Sequence, residues 1–266
     1  MNVPGEIDLT RALHVSTAAA EACADLLRNG LGRPGEVRTK GSTTDFVTDI
    51  DHAAEAIVLD HLLKATPSFS VLSEEAGEMR RDPDWMWIVD PIDGTTNFVR
   101  GIPHVSTSIA LAHRGQPVVA CIHDPIREET YTAVRGAGAW RNGEKISVSS
   151  TESLTGAVLV VGFSRVRDRA ARMVAGTRAL LDSAGILRTT GSACLDQAFV
   201  ACGRVDGMWY AGLSMWDVAA GTLLVTEAGG CVSSPSGAHL EDPEEGVVVS
   251  NSNLHPAILH AVGGCP

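Results

Sequence analysis

The stretch WMWIVDPIDGTTNF, residues 85–98, decides how this chain folds and what it can bind. Its first five residues are bulky and apolar, which predicts a buried β-strand. Two acids follow, Asp90 and Asp93, with a proline between them, and Gly94 then turns the chain towards a helix start. A strand that ends in two carboxylates and turns at a glycine into a helix is suited to hold metal ions beside a phosphate group.

Size and composition indicate a globular protein with a large core. The chain has 266 residues, of which 44% are hydrophobic and 20% charged, so the core needs no disulfides to be stable. The net charge of -11 argues against nucleic acid as a partner, because phosphate backbones are bound by clustered Lys and Arg.

The six cysteines form no C-x-x-C pair, so we expect buried thiols in a reducing cytoplasm. No leader sequence or apolar run of about 18 residues is found, which predicts no membrane partner.

Hydrophobic periodicity predicts the order of helices and strands. Before residue 100 we expect an exposed loop over 30–44, helices over 9–27 and 51–65, and strands over 70–73 and 85–89. An antiparallel meander is predicted next, with strands over 106–113, 117–123, 130–134 and 145–148. After residue 150 strands at 157–161, 207–210 and 247–249 alternate with helices at 168–184, 192–202, 214–228 and 255–262.

This order predicts an α/β protein with two lobes in one unit, residues 1–266. The first lobe, about 1–150, is α+β with a largely antiparallel sheet, and the second, about 151–266, is α/β. No proline-rich or serine-rich linker separates the two lobes. A dehydrogenase is excluded because no G-x-G-x-x-G motif follows a first strand, and residues 136–138 are expected to be a hairpin turn.

Four acids are candidates for a metal site: Glu74 after a predicted strand, Asp90 and Asp93, and Asp217 in the first turn of a predicted helix. If they converge, they offer only hard oxygen ligands, which favour Mg²⁺ or Mn²⁺ over zinc. Two carboxylates ~4 Å apart repel by roughly 4 kcal/mol at an effective dielectric near 20. Such a cluster therefore requires bound cations or bound protons.

Three of these acids also have a structural alternative. Asp90 begins an Asp-Pro turn, and Glu74 with Glu75 is typical of a solvated pair. Asp217 lies three residues after Ser214, and capping is the commoner role for an isolated acid at that position. The joint occurrence of all four acids favours the metal site.

The residues after Asp93 add a candidate phosphate site. Backbone N–H groups at a helix start lack internal partners, and the helix dipole favours an anion there. The Thr95 hydroxyl is expected either to cap that helix or to hold an attacking water. Residues 190–193 precede another helix, where Ser192 has two equally weighted interpretations, a helix cap or a substrate contact.

These residues resemble the inositol monophosphatase family. The resemblance is carried by Glu74-Glu75, by residues 90–98, by Trp216-Asp217-Val218-Ala219-Ala220-Gly221, and by Asp45-Phe46-Val47-Thr48 followed by Asp51. It extends over nearly the whole chain and includes residues 138–143 and 203–207. It implies a layered αβαβα sandwich, a cytoplasmic homodimer, and Mg²⁺-dependent, Li⁺-sensitive hydrolysis of a small phosphorylated polyol.

The resemblance also implies a role for each candidate residue. The first metal ion would be bound by Glu74, Asp90 and the Ile92 carbonyl, and the second by Asp90, Asp93 and Asp217. Glu74 would also help to bind a third, weaker ion, and Mn²⁺ would substitute for Mg²⁺. The catalytic residues would be Asp51, Thr95 and Glu74, the first two orienting and deprotonating the nucleophilic water. The phosphate would contact Gly94 and Thr95, and the substrate would contact Gly191, Ser192, Ala193, Tyr210 and Asp217.

One position departs from the family pattern. Many members carry a Glu shortly before the Trp-Asp motif, where it accepts hydrogen bonds from a ring hydroxyl; alignment on Trp216-Asp217 places Tyr210 there. Tyrosine is a weaker and bulkier acceptor, so we expect altered polyol recognition. Inositol 1-phosphate is the first substrate expected, and fructose 1,6-bisphosphate and histidinol phosphate are alternatives. A regulatory binding protein is the alternative to an enzyme. Residues 162–165 are expected on the substrate side of the site.

Overall fold

A computed structural model describes residues 7–39, 46–162, 167–183 and 185–263. The helices are α1 Leu9–Ala22, α2 Ala24–Gly30, α3 Asp49–Ala65, α4 Thr95–Arg100, α5 Arg167–Asp182, α6 Ala193–Ala201, α7 Met215–Glu227 and α8 His255–Gly263. The strands are β1 Val37–Thr39, β2 Phe46–Thr48, β3 Ser70–Ser73, β4 Gly77–Met79, β5 Trp85–Asp93, β6 Ser106–His113, β7 Gln116–Asp124, β8 Glu129–Val134, β9 Gly138–Arg141, β10 Glu144–Ile146, β11 Val158–Val161, β12 Ile186–Arg188, β13 Gly207–Tyr210, β14 Gly230–Ser233 and β15 Val247–Asn251. In the described ranges, no helix combines the length and the apolarity that crossing a membrane requires.

The larger sheet has eight strands in the order β10-β9-β8-β7-β6-β5-β3-β4. The described pairings are antiparallel except for β3 and β5, which run parallel. A five-stranded sheet has the order β12-β11-β13-β15-β14, with β11 parallel to both of its neighbours, and β1 and β2 form a separate two-stranded sheet. The predicted, largely antiparallel first sheet is therefore confirmed.

Side chains of each sheet alternate between two hydrophobic layers, as the two-residue period of a strand requires. On β5, Trp87 and Val89 pack with α1 and α3, whereas Ile88 packs with α6 and α7. On β13, Met208 faces α6 and α7, and Trp209 faces α5 and α8. The layers are thus helices, sheet, helices, sheet, helices, which confirms the predicted αβαβα sandwich.

Two predictions near the amino terminus are wrong. The helix expected over 9–27 is interrupted at Cys23, whose N–H bonds to the Glu21 carbonyl, and α2 begins at the next residue. The loop expected over 30–44 contains β1, which pairs with β2. Residues 40–44 of that loop lie outside the described residues. In the second case pairing with β2, rather than local composition, sets the structure.

Besides β1, several short strands were not predicted, namely β2, β4, β9, β12 and β14. β4, β12 and β14 are edge strands, and each is three or four residues long. Such strands form because a neighbour offers hydrogen bonds, so their own sequence carries little alternation. The strand expected over 145–148 ends at Ile146. The hairpin turn expected at residues 136–138 is confirmed between β8 and β9.

The described strands of the larger sheet lie before residue 150, and those of the five-stranded sheet lie after it. The division into lobes of about 1–150 and 151–266 stays a prediction. The α7 helix lies in the layer between the sheets, and its amino-terminal end comes close to the carboxyl end of β5. This approach brings the second half of the chain to the acids of the first half.

Candidate active site

A bulge in β5 brings Asp90 and Asp93 to one face of the sheet. Residues three apart on a regular strand point to opposite faces. Here Asp90 pairs with Ser108 and Asp93 pairs with Ser106. The two residues between the acids on β5 therefore lie opposite a single residue of β6. The extra residue reverses the alternation, as a β-bulge does. Pro91 lies within this irregular segment, where a missing N–H is tolerated.

Glu74 is placed beside this bulge by the parallel pairing of β3 with β5. The N–H of Glu74 donates to the Val89 carbonyl at 3.2 Å, so the acid follows the end of β3 next to Asp90. The turn after β3 is fixed by a buried carboxylate from α3, because Glu55 Oε1 accepts from the N–H of Glu75 at 3.1 Å and from the Ser73 hydroxyl. The position of Glu74 is therefore set by backbone contacts on both sides.

Asp217 is both a helix cap and a member of the acidic cluster. Its Oδ2 accepts from the N–H of Ser214 at 2.6 Å, in a capping box at the start of α7. The capping alternative is thus realised. It does not remove Asp217 from the cluster, because the charge of Asp217 still raises the pKa of Asp90.

Asp90 lies at the centre of the four acids. Burial raises the pKa of its carboxyl well above the ordinary value, and the charges of Glu74, Asp93 and Asp217 raise it further. Its Oδ1 is buried and has no hydrogen-bond partner. A buried, unpaired carboxylate oxygen facing three other acids is costly unless a cation neutralises it. The all-oxygen carboxylate set fits Mg²⁺ or Mn²⁺.

Asp93 binds the amino-terminal end of α6. Its carboxylate accepts from the N–H groups of Ala193 at 3.1 Å and Cys194 at 2.9 Å, and from the Ser192 hydroxyl. Burial raises the pKa of Asp93 to about 6, and these hydrogen bonds oppose the rise. The helix therefore holds the carboxylate in place while burial disfavours its charge.

Asp51 uses its two oxygens for different partners. Oδ2 accepts from the Thr48 N–H at 2.8 Å and completes the capping box of α3. Oδ1 lies 3.3 Å from the Thr95 hydroxyl, which also lies 3.1 Å from the Ile92 carbonyl. The helix-cap interpretation of Thr95 is wrong, since the N-cap of α4 is a glycine without a side-chain cap bond. The Thr95 hydroxyl therefore lies within hydrogen-bond reach of one carboxylate oxygen and one backbone carbonyl.

Gly94 fits a space in which no side chain is tolerated. Its φ of 90° lies in the left-handed region, and a Cβ would come within 3.1 Å of the His104 carbonyl and 3.2 Å of the Gly191 carbonyl. Asn97 ties these two loops together, donating from Nδ2 to the carbonyls of His104 at 2.9 Å and Thr190 at 2.8 Å. The backbone of the turn after Asp93 therefore packs directly against the backbone at His104 and Gly191, which a glycine allows.

The residues predicted on the substrate side differ in accessibility. Gly191 is exposed, whereas Ser192 and Ala193 are buried. Ser192 occupies the N-cap position of α6, as the cap interpretation expected, but its hydroxyl makes no cap bond and donates to Asp93 instead. Tyr210 is also buried, and its hydroxyl donates to Asp196 Oδ2 at 2.7 Å. Substrate contact by these residues stays a prediction.

Sequence reasoning gave no role in the site to several residues that shape it: Thr48, Glu55, Asn97, Cys194 and Asp196. The Ser/Thr-x-x-acid spacing of Thr48 before α3 was a signal that could have been used. The others act through contacts between residues distant in the chain, for which a single sequence has no signal. Two further predictions, for Asp45 and for residues 163–165, lie outside the described residues.

The cysteines predicted to be buried include Cys23, Cys121 and Cys194, which are buried and unbridged, whereas Cys202 and Cys231 are half-buried.

Comparison with known proteins gives one consistent result. The model of the inositol monophosphatase family matches residues 8–265. The Nus factor SuhB of Escherichia coli (strain K12) is 40% identical over 251 residues, which cover 93% of this chain and 94% of that protein. The crystal structure of the extragenic suppressor protein SuhB from Bartonella henselae is 35% identical, with a TM-score of 0.91 and coverage of 96% and 99%. The inositol monophosphatase from Anabaena (Nostoc) sp. PCC 7120 is 35% identical, with a TM-score of 0.87 and 98% coverage of each chain.

Proposed function

The chain belongs to the inositol monophosphatase family, and we propose that it hydrolyses a small-molecule phosphomonoester, with inositol 1-phosphate as the first substrate. The observation that carries the proposal is the environment of Asp90, whose buried Oδ1 has no partner and whose pKa is raised by burial and by three neighbouring acids. A structural cluster would be expected to pair that oxygen with a donor. An unpaired oxygen is instead suited to a cation.

Metal binding in this proposal uses the residues expected from the family resemblance. Glu74, Asp90 and the Ile92 carbonyl would hold one Mg²⁺, and Asp90, Asp93 and Asp217 would hold another. Glu74 would contribute to a third, weaker ion. When bound, the ions supply positive charge for the phosphoryl oxygens and for the leaving oxygen, so no strong general acid is needed. The hydrogen bonds from α6 to Asp93 keep that carboxylate oriented.

The nucleophilic water would be oriented by Asp51 and Thr95. Their Oδ1 and Oγ1 atoms lie 3.3 Å apart, so the carboxylate can accept the hydroxyl proton while the hydroxyl oxygen accepts from a water. The buried position of Asp51 and its bond to the Thr48 N–H fix its second oxygen. The backbone amides of Gly94 and Thr95 would contact the phosphate.

Substrate choice is the finer part of the proposal. Tyr210 offers a neutral hydroxyl that is already bonded to Asp196, where many relatives are expected to offer a free carboxylate. The same phosphate chemistry would also serve fructose 1,6-bisphosphate and histidinol phosphate. A homodimer, a cytoplasmic location and sensitivity to Li⁺ stay predictions from the family resemblance.

A regulatory binding role is the second candidate function. It is favoured by one observation, that several relatives about 40% identical to this chain carry the name Nus factor. Against it, each of the predicted metal-binding acids is present in the chain. The two candidates are not exclusive, because a chain can retain activity and also bind a partner.

The test is phosphate release with and without Mg²⁺ on inositol 1-phosphate, fructose 1,6-bisphosphate and histidinol phosphate. The proposal predicts Mg²⁺-dependent release, fastest on inositol 1-phosphate. Asp93→Asn should abolish turnover and weaken Mg²⁺ activation while the fold is kept. Asp60→Asn is the matched control, because Asp60 is an exposed acid on α3 whose partner is Lys64. Near-wild-type activity of Asp93→Asn would reject the metal assignment, and no release from any substrate would favour the regulatory role.

A further inference from the structure

A thiol lies against the acids of the candidate site. Cys194 is in the first turn of α6 and is fully buried. Its Sγ and one carboxylate oxygen each from Asp90 and Asp93 all lie within 4.8 Å of one another. Sγ also lies 3.3 Å from the Asp217 carbonyl. The thiol is therefore directed into the acidic cluster at the start of α7.

A second observation at this point concerns the carboxylate of Asp90. Asp90 is 1% exposed, and its Oδ1 has no hydrogen-bond partner. The neighbouring thiol, with a single weak proton, is no strong donor to a carboxylate. Asp90 therefore has one buried oxygen without a partner, and its carboxylate lies beside a sulfur atom and a second carboxylate.

We propose that Cys194, Asp90 and Asp93 form a mixed sulfur–oxygen site that binds a thiophilic divalent cation such as Zn²⁺ or Cd²⁺. Zinc is bound by thiolate sulfur at about 2.3 Å and by carboxylate oxygen at about 2.0–2.2 Å, so tetrahedral ligand atoms are roughly 3.5 Å apart. Three atoms within 4.8 Å of one another reach that spacing by small side-chain movements. As the cation binds, the thiol proton leaves to solvent and the sulfur binds as thiolate.

Magnesium would make no use of the sulfur, because it selects hard oxygen ligands. The thiol therefore adds affinity for soft cations alone. Since the proposed Mg²⁺ sites also use Asp90 and Asp93, a thiophilic cation and Mg²⁺ would exclude each other. This competition rests on the proposed function, whereas binding of the thiophilic cation itself does not.

The experiment is a Cd²⁺ titration followed by the ultraviolet thiolate-to-cadmium charge-transfer band. The wild-type protein should show the band with saturation near one Cd²⁺ per chain, whereas Cys194→Ser should lose most of it. Cys202→Ser is the matched control, because Cys202 lies directly after the other end of α6 and is half-buried. It should keep the band.

Identical titrations of the wild type and Cys194→Ser would overturn the proposal, as would loss of the band in Cys202→Ser alone. Circular dichroism checks that each variant is folded, and if Cys194→Ser is not, Cys194→Ala and Asp90→Asn take its place with the same expected loss. Mg²⁺ is then added to the Cd²⁺-loaded wild type, and the band should decrease. If phosphate release depends on Mg²⁺ but no Cys194-dependent band is seen, only the thiophilic site is contradicted. If the band is seen but no phosphate is released, only the proposed function is contradicted.

Discussion

The hydroxyl of Tyr210 donates a 2.7 Å hydrogen bond to Oδ2 of Asp196, a buried carboxylate in the first turn of α6. Thr190 donates to the same oxygen. The Tyr210 ring fills the space beside Gly162, where an added Cβ would lie 2.0 Å from the ring. Tyr210, which replaces the expected acid, is therefore hydrogen-bonded and packed within the protein. In the proposed function, this arrangement would leave polyol recognition to other groups.

Removing the Tyr210 hydroxyl should destabilise the fold. Tyr210→Phe leaves a buried carboxylate with one donor fewer, which costs about 1–3 kcal/mol, measured by denaturant unfolding. Tyr131→Phe is the matched control, because the partner carboxylate of Tyr131, Glu129, keeps both bonds from Arg204. Equal losses of unfolding free energy in the two variants would show that the bond to Asp196 stabilises the fold no more than the bond to Glu129 does.

Restoring an acid at position 210 should change substrate preference. Tyr210→Glu should raise kcat/KM for inositol 1-phosphate relative to histidinol phosphate, because a charged acceptor is then available to a ring hydroxyl. The new carboxylate also faces Asp196, so the stability of the variant should fall. Combining it with Asp196→Asn should recover stability and keep the gain. No gain in kcat/KM in either variant would contradict the account of substrate choice.

The Thr95 hydroxyl should be needed for turnover. Thr95→Ala removes the group that lies between Asp51 and the Ile92 carbonyl, and general acid–base groups contribute about 10²–10⁴-fold. We expect a kcat loss in that range, with the Mg²⁺ concentration for half-activation nearly unchanged. The exposed neighbour provides the control, because Thr96→Ala should keep near-wild-type kcat. Comparable losses in both variants would reject the role given to Thr95.

Metal binding and pH should be coupled in the thermal stability. The pKa of Asp93 is raised from 3.8 to about 6, so the folded state binds more protons than the unfolded state between these values. Stability without metal should then fall as pH rises through that window, by about 3 kcal/mol at most. Mg²⁺ should raise Tm more at pH 7.5 than at pH 5, compared with EDTA, because cations stabilise the ionised acids.

The control for this coupling is Asp60→Asn, which should show the wild-type pattern, whereas Asp93→Asn should lose part of the pH dependence. If Mg²⁺ raised Tm equally at both pH values, the acids would not be the groups that bind it. The measurement is a thermal melt followed by circular dichroism.

The sequence predicts the centre of the fold better than its edges. The long strands β5, β6 and β7 are nearly continuous buried runs, and the acids of residues 90–93 form one local run, so both were predictable. The edge strands β4, β12 and β14 exist through pairing with neighbours. The bonds of Asp93 to α6 and of Tyr210 to Asp196 join distant parts of the chain. Neither composition nor periodicity encodes such side-chain contacts.

The most direct test of the central claim is a crystal structure with Mn²⁺, with the ions located by anomalous scattering. The account predicts Mn²⁺ ions bound by carboxylate oxygens of Glu74, Asp90, Asp93 and Asp217. Anomalous peaks away from these four acids, or four side chains directed to separate places, would contradict it.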